Sequence, residues 1–390
     1  MTPPIDPAKR ALTRVTCAPH VPPILQGELE ALGFEIQNED HVALDIGASL
    51  VECLDLCLRL RTAHHVLWLL SRFRCPSPKA LYTQVAAYPW ELLIPNDSFV
   101  CVTSNVTNPK IDNSMYPNLV VKDAIVDRIS KRTGARPDSG SDRSRIVIHL
   151  GWKGDRAWLY LNVNGVRLSD RGYRKLPHEA PMRETLAAAV LLSTGYDGSR
   201  PLVNPMCGSG TLAIEGALIG AHRAPGLLRS NYSFGHTLLD LDERWSAARA
   251  SARKLTRQHV APIIASDRDP RAIEAAKRNA KTAGVDHLIE FHVCDVADTP
   301  LPGGAGDIVM NPEYGLRLGD ERDLEQTYSR IGDFLKQRAA GWTGHVFTGN
   351  RELSKRIGLR TTRRTPFMNA QIECRLLTYE MYAGSRQSRA

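Results

Sequence analysis

The sequence predicts an α/β protein. Its C-terminal half should form a Rossmann-like, mostly parallel sheet with an antiparallel last strand, preceded by small α+β modules. Three observations predict this. From Pro181 onward, short apolar strand-like runs alternate with helical ones, the pattern of a parallel sheet covered on both faces. The first 75 residues read βαββαβ, the order of a ferredoxin-type module. The last apolar run, Glu373–Tyr382, follows a polar loop and suits a late strand added by a hairpin.

Taken in order, Ala11–Cys17 reads as a strand, and Pro22 and Pro23 open an amphipathic helix that stops at Gly33. Phe34–Gln37 and Val42–Ile46 read as strands around a polar turn, Leu50–Leu60 as a helix and His65–Phe73 as an apolar strand. Beyond Pro76 and Pro78 come a helix near Pro78–Ala87, a strand at Ser98–Ser104 and a long helix over Leu119–Thr133 ended by Gly134. Gly134–Asp142 reads as a loop, and the alternating strands Arg145–Gly151 and Ala157–Val163 follow it. The cation-rich stretch Arg167–Lys175 reads as the main linker. After it come helix Met182–Ser193, strand Pro201–Val203, helix Leu212–His222 and an insertion over roughly Arg223–His259. Strands then recur at Pro262–Ser266, Leu288–Val293, Asp307–Met310 and Gly344–Thr348.

With 390 residues, more than one core is needed. The net charge of +8 makes nucleic acid a natural partner, though charge alone is weak evidence. No apolar stretch is long enough to span a bilayer, and the start, with Pro3, Pro4 and Pro7, lacks the apolar core of a signal peptide. The eight cysteines contain no CxxC pair and the 12 histidines no ligand spacing, so no metal is expected and the cytoplasm is the default compartment. The cations Arg351, Lys355, Arg356, Arg360, Arg363 and Arg364 read as solvated helix charge or as an RNA contact.

Chemistry is concentrated where strands end. Val203 closes an apolar strand, and Asn204, Pro205, Met206, Cys207, Gly208, Ser209, Gly210 and Thr211 form a glycine-rich turn running straight into a helix. Such a turn lets backbone approach a ligand, and the helix start offers unpaired N–H groups. The dinucleotide fingerprint Gly-x-Gly-x-x-Gly is absent. Asp267, at the next strand end, could accept both hydroxyls of a ribose, while Asp269 better fits a helix cap. Asp295 ends the following strand and could accept from an adenine amine. The fourth strand runs into Asn311, Pro312, Glu313 and Tyr314. There an amide oxygen and a carbonyl can hold the hydrogens of a base's exocyclic amine while the tyrosine stacks on the ring. Cys207 reads as part of the turn rather than as a nucleophile.

These runs resemble the THUMP-containing RNA guanine-N2 methyltransferases, most closely the bacterial enzymes acting on 23S ribosomal RNA. The likeness lies in Arg171–Arg174, Ala180–Ala187, Asn204–Leu212, Arg223–Gly226 and Asn311–Leu318, and in the N-terminal half at Glu28–Gly33 and Asn118–Arg128. It implies a ferredoxin-like module over 1–75, a THUMP RNA-binding domain over 76–170 and a class I methyltransferase domain over 171–390. It also implies S-adenosylmethionine (SAM) as cofactor, held by the turn and Asp267, with Asp295 on the adenine and Thr185 among the contacts. Asn311, Pro312 and Tyr314 would bind the target base in 23S rRNA or a large-subunit precursor, and the chain is expected to act as a monomer. Two positions depart from the family: Asn204 stands where Asp is usual, and Glu313 where a second proline is usual. Glu313 could accept from guanine's N1–H and amine, or be a solvent-facing substitution. Other readings are a tRNA guanine-N2 methyltransferase, an RNA-binding assembly factor with weakened catalysis, and a DNA adenine methyltransferase, which the N-terminal likeness disfavours. Relatives carry a second fused methyltransferase domain, and this chain is expected to have no room for it.

Overall fold

The computed structural model describes residues 5–108, 111, 113, 115–175, 182–257, 259–314 and 321–382. Pro3, Pro4, Ala180–Pro181 and Gly315–Leu318 from the readings above lie outside the described residues. The chain divides into two compact units. One comprises Met1–Cys17, Leu25–Asp170 and Arg229–Lys254, the other Ala18–Ile24, Arg171–Leu228 and Leu255–Ala390.

The first unit opens with β1 (Ala11–Thr16), α1 (Pro22–Ala31), β2 (Ile36–Asp40), β3 (Ala43–Ala48), α2 (Leu50–Arg59) and β4 (His65–Arg74), the expected βαββαβ order. A capping box starts α2: the Ser49 hydroxyl accepts from Glu52 N–H at 3.2 Å, and Glu52 accepts from Ser49 N–H at 2.7 Å. Then follow α3 (Pro78–Ala87), β5 (Phe99–Thr107), α4 (Tyr116–Thr133), β6 (Asp138–Gly140), β7 (Ile146–Lys153) and β8 (Arg156–Asn162). The short β6 lies inside the stretch read as a loop, pairing parallel to β5. All eight strands form one sheet, ordered β2-β3-β1-β4-β8-β7-β5-β6. Antiparallel pairing of β4 with β8 makes this sheet continuous across residue 75.

The second unit begins with α5 (Glu184–Ser193), β9 (Leu202–Pro205) and α6 (Thr211–Gly220). Every residue of α6 is buried, which its apolar, glycine-containing surface permits. The chain then leaves this unit: Arg229–Lys254, including α7 (Asp242–Lys254), belongs to the first. There Tyr232, Phe234 and Trp245 pack with ring centroids 4.9–5.6 Å apart. Arg229 lies 4.9 Å from the Tyr232 ring centre and Arg249 5.4 Å from that of Trp245.

The second unit resumes with β10 (Ile263–Asp267), α8 (Pro270–Ala283), β11 (Ile289–Val293), β12 (Asp307–Met310), α9 (Glu321–Arg338) and β13 (Thr343–Thr348). It ends in α10 (Arg351–Arg356), β14 (Arg363–Asn369) and β15 (Ile372–Glu380). Its seven-stranded sheet is ordered β11-β10-β9-β12-β13-β15-β14. The first five strands are parallel, and β15 joins β13 antiparallel as half of a hairpin. The basic cluster is largely engaged in place: Lys355 pairs with Glu352, Arg356 with Glu325, and Arg363, within β14, donates to the Ser193 carbonyl.

The division between the units at Asp170/Arg171 falls inside Arg167–Lys175, the stretch read as the main linker, much of which is buried. Leu168, Ser169, Arg171 and Tyr173 are buried. Arg171 pairs at 3.6 Å with Glu215 in the core, and the Tyr173 hydroxyl donates to the same carboxylate at 3.2 Å. Arg174 pairs with Glu184 at 3.0 Å. Arg171 and Arg174 are thus paired with carboxylates, because burying guanidinium groups without them would cost several kcal/mol.

Candidate active site

The four strand ends singled out above lie side by side. β11, β10, β9 and β12 are consecutive in the parallel sheet, so residues at their carboxyl ends share one edge. Between β9 and α6 the chain turns with Met206 at φ +55°, a costly conformation for a residue with a Cβ. Gly210, at φ +83°, is needed for a second reason: a Cβ there would fall 2.9 Å from the Cβ of Ala276 on α8. No side chain caps the start of α6. Pro205, Ser209 and Thr211 are buried. Burial and the neighbouring Asp267 carboxylate push the Cys207 thiol well above its usual range, which disfavours the thiolate.

Asp267 is built into this turn. Its carboxylate accepts from Gly208 N–H at 2.9 Å and from Asp269 N–H at 3.0 Å. Asp269 caps α8, accepting from Arg271 N–H at 2.9 Å, as its position suggested. Asp295 accepts from Ala297 N–H at 3.0 Å and pairs with Arg330 at 2.5 Å, both through one oxygen. It therefore performs the bland capping task while keeping its second oxygen available.

Three of the singled-out side chains hold buried oxygens with no hydrogen-bond partner among the described residues: Thr185 Oγ1, Asn204 Oδ1 and Asn311 Oδ1. Asn204 donates from its amide nitrogen to the Val309 carbonyl at 2.8 Å, which fixes its oxygen in place. Pro312 is buried and Glu313 exposed, the latter without a hydrogen bond or ion pair among the described residues. The Tyr314 hydroxyl accepts from Asn369 Nδ2 at 2.7 Å and lies 3.6 Å from Cys374 Sγ. Its ring packs edge-on to Phe347, with centroids 6.2 Å apart. A Cβ at Gly349 would stand 3.0 Å from that ring.

Several supporting residues escaped the sequence reading. Asn279 donates to the Ser209 carbonyl at 3.1 Å and accepts from Lys175 N–H at 3.0 Å, fastening the turn to the Arg171–Lys175 strap. The signal was present: Asn279 is a lone amide on the otherwise apolar face of α8. Asn369 and Cys374 gave none, because only the hairpin brings them to Tyr314. Among the described residues, no group of three or more His, Cys, Asp or Glu could hold a metal, and no helix is long and apolar enough to cross a membrane.

Comparison with known proteins agrees with this layout. Residues 76–162 match the THUMP domain. The chain is 38% identical over 372 residues to the Ribosomal RNA large subunit methyltransferase K/L of Syntrophotalea carbinolica, covering 93% of this chain and 52% of that protein. That of Aliivibrio fischeri strain ES114 is 35% identical, over 94% of this chain and 53% of its own length. The chain thus spans about half the length of these curated relatives. A crystal structure from Listeria monocytogenes, described as a predicted N6-adenine-specific DNA methylase, superposes with TM-score 0.84 at 30% identity, covering 96% of this chain and 97% of that one. SMU.472, a candidate methyltransferase solved with SAH, gives TM-score 0.85 at 23% identity, covering 97% and 100%, a likeness of fold. Residues 171–378 match the RMKL-like methyltransferase domain, and the chain belongs to that family.

Proposed function

We propose that this chain transfers the methyl group of SAM to the exocyclic N2 of a guanine in 23S rRNA or a large-subunit precursor. The observation that carries the reading is the trio of orphaned oxygens on Thr185, Asn204 and Asn311. A buried polar atom left unbonded costs about 1–3 kcal/mol, so three on adjoining elements point to groups supplied by ligands.

The donor set fits SAM. Thr185 and Asn204 would meet its polar methionine end, together with the backbone of Gly208–Thr211. Asp267 would hold the ribose and Asp295 the adenine amine. SAM supplies an electrophilic methyl group on a sulfonium. Asn311 Oδ1 and the Pro312 carbonyl accept the two hydrogens of the guanine amine, turning its lone pair out of conjugation. Tyr314, anchored through its hydroxyl, offers a ring for the base to stack on. Glu313 accepts from guanine N1–H, which an adenine could not provide. The chemistry is chiefly positioning.

The names of the relatives support ribosomal RNA as substrate, and the THUMP match supports RNA recognition by the N-terminal part. The proposed division is 1–75 ferredoxin-like, 76–170 THUMP and 171–390 methyltransferase, with Arg229–Lys254 lent to the first unit. The test is labelled methyl transfer to rRNA and tRNA from a strain lacking the enzyme, followed by nucleoside analysis. Label in 23S rRNA as N2-methylguanosine is expected. Label confined to tRNA, or appearing as a methylated adenosine, would overturn the substrate assignment.

A further inference from the structure

The first unit carries a basic, aromatic surface on one face of its sheet. Strand register defines it. One row across the sheet is Arg74 (β4), Arg156 (β8), Lys153 (β7) and Thr107 (β5). The next, two residues along, is Arg72, Trp158, Gly151 and Asn105. Side chains alternate across a sheet, so both rows share one face. Their neighbours Trp152, Ala157 and Leu159 point the other way, into the core. Arg72, Arg74, Lys153, Arg156, Asn105 and Thr107 are all exposed, and Trp158 is half-buried. The indole leans across the next strand: a Cβ on Gly151 would stand 3.8 Å from its Cε3.

Charge on this patch is one-sided. Asp155, in the β7–β8 turn, pairs with Arg74 at 3.1 Å. Arg72, Lys153 and Arg156 have no carboxylate partner among the described residues. Their backbone is held: Gly154 N–H donates to the Thr107 carbonyl at 3.0 Å, and Asn108 donates to the Gly154 carbonyl at 2.8 Å. The cations of α4 differ. Arg128 pairs with Glu91 at 2.6 Å and Lys122 with Asp123 at 2.8 Å, so helix α4 has less free charge to offer.

We propose that this sheet face is a landing platform for single-stranded RNA, with one unpaired base stacking on Trp158 and phosphates meeting Arg72, Arg156 and Lys153. The inference rests on the RNA reading above and deepens it. Duplex RNA hides its base faces, so a half-buried indole framed by cations suits a loop or bulge.

The experiment is fluorescence-anisotropy binding of a labelled 12-nucleotide single-stranded RNA to the full chain across a salt series. Trp158→Ala should weaken binding about tenfold, the scale of one lost base stack, while Trp158→Phe stays within about threefold of wild type. Arg72→Gln with Arg156→Gln should flatten the slope of log affinity against log salt by about 1.4, at roughly 0.7 per phosphate released. Should Trp158→Ala fail to fold, the exposed arginine pair decides alone. Wild-type affinity and slope in the variants would overturn the platform while leaving RNA binding intact. A wild-type chain that bound no RNA would bring down the platform and the substrate reading together.

Discussion

Asn204 donates to the carbonyl of Val309 at 2.8 Å, so the side chain at the end of β9 is laced to the backbone of β12. Only a side chain with an N–H, and not a carboxylate, can make this bond at position 204. Asp in the same place would set acceptor against acceptor in a buried site. Asn204→Asp should therefore cost about 1–3 kcal/mol of stability. For a unit of this size that is a melting temperature lower by roughly 2–10 °C. Thermal denaturation checks it, and an unchanged melting point would show that the lacing contributes nothing.

Asp267 serves the turn and, by the reading above, the ribose. Asp267→Ala removes the acceptor for Gly208 and Asp269 N–H. With a charge-assisted bond worth about 1.5–3 kcal/mol, affinity for SAM should fall roughly 10- to 100-fold by calorimetry. Unchanged affinity removes Asp267 from the cofactor site.

Tyr314 separates stacking from anchoring. Tyr314→Phe keeps the ring but loses the contacts to Asn369 and Cys374. Tyr314→Phe and Asn369→Ala should each slow single turnover severalfold, with SAM affinity unchanged. Tyr314→Ala should cost about 10- to 100-fold, the worth of a base stack. Equal rates in the Phe and Ala variants would mean that no base stacks there.

Acid should destabilise the first unit through two buried imidazoles. Burial, aided by neighbouring His64, pulls His65 from 6.5 down to about 3, and burial with Arg14 and Arg143 pulls His149 to about 4. Asn162 and Asn164 donate to His65 Nδ1 at 3.1 and 3.2 Å, which requires the neutral ring. Below pH 6.5 the unfolded chain binds protons that the folded chain refuses, so stability falls as pH drops toward 4. Each histidine contributes up to about 1.4 kcal/mol per pH unit. Urea midpoints between pH 7 and 4.5 would show this. His65→Gln, which keeps an acceptor for the two amides, should remove about half the slope, and an unaltered slope would exclude His65 as a cause.

The C-terminal sheet was readable because its signals are local. Glycines in the turn after Val203, acids at 267 and 295 and the Asn311–Tyr314 run each mark a strand end within a few residues. What stayed hidden depends on distant partners. Polarity made Arg167–Lys175 read as a linker, since nothing nearby announces that Glu215 and Glu184 wait in the core for Arg171 and Arg174. β14 was missed because Arg363 and Arg364 open it, and pairing with β15 supplies the order that its composition does not. The residue-75 boundary conceals the β4–β8 pairing for the same reason: Leu67 meets Asn162 across 95 positions of sequence.

The excursion of Arg229–Lys254 into the first unit also has a temporal consequence. On the ribosome, the N-terminal unit cannot complete its core when Asp170 emerges, because Tyr232, Phe234 and Trp245 have not been made. By the time Tyr232–Trp245 emerge, β9 and α6 are outside too, without β10, β12 or α8 to cover them. Each unit must hold apolar surface open until the other has advanced, a window in which a chaperone would find both. No single cut can release either unit intact, so gene fragments that end near Asp170 should misfold where a tandem arrangement would tolerate them.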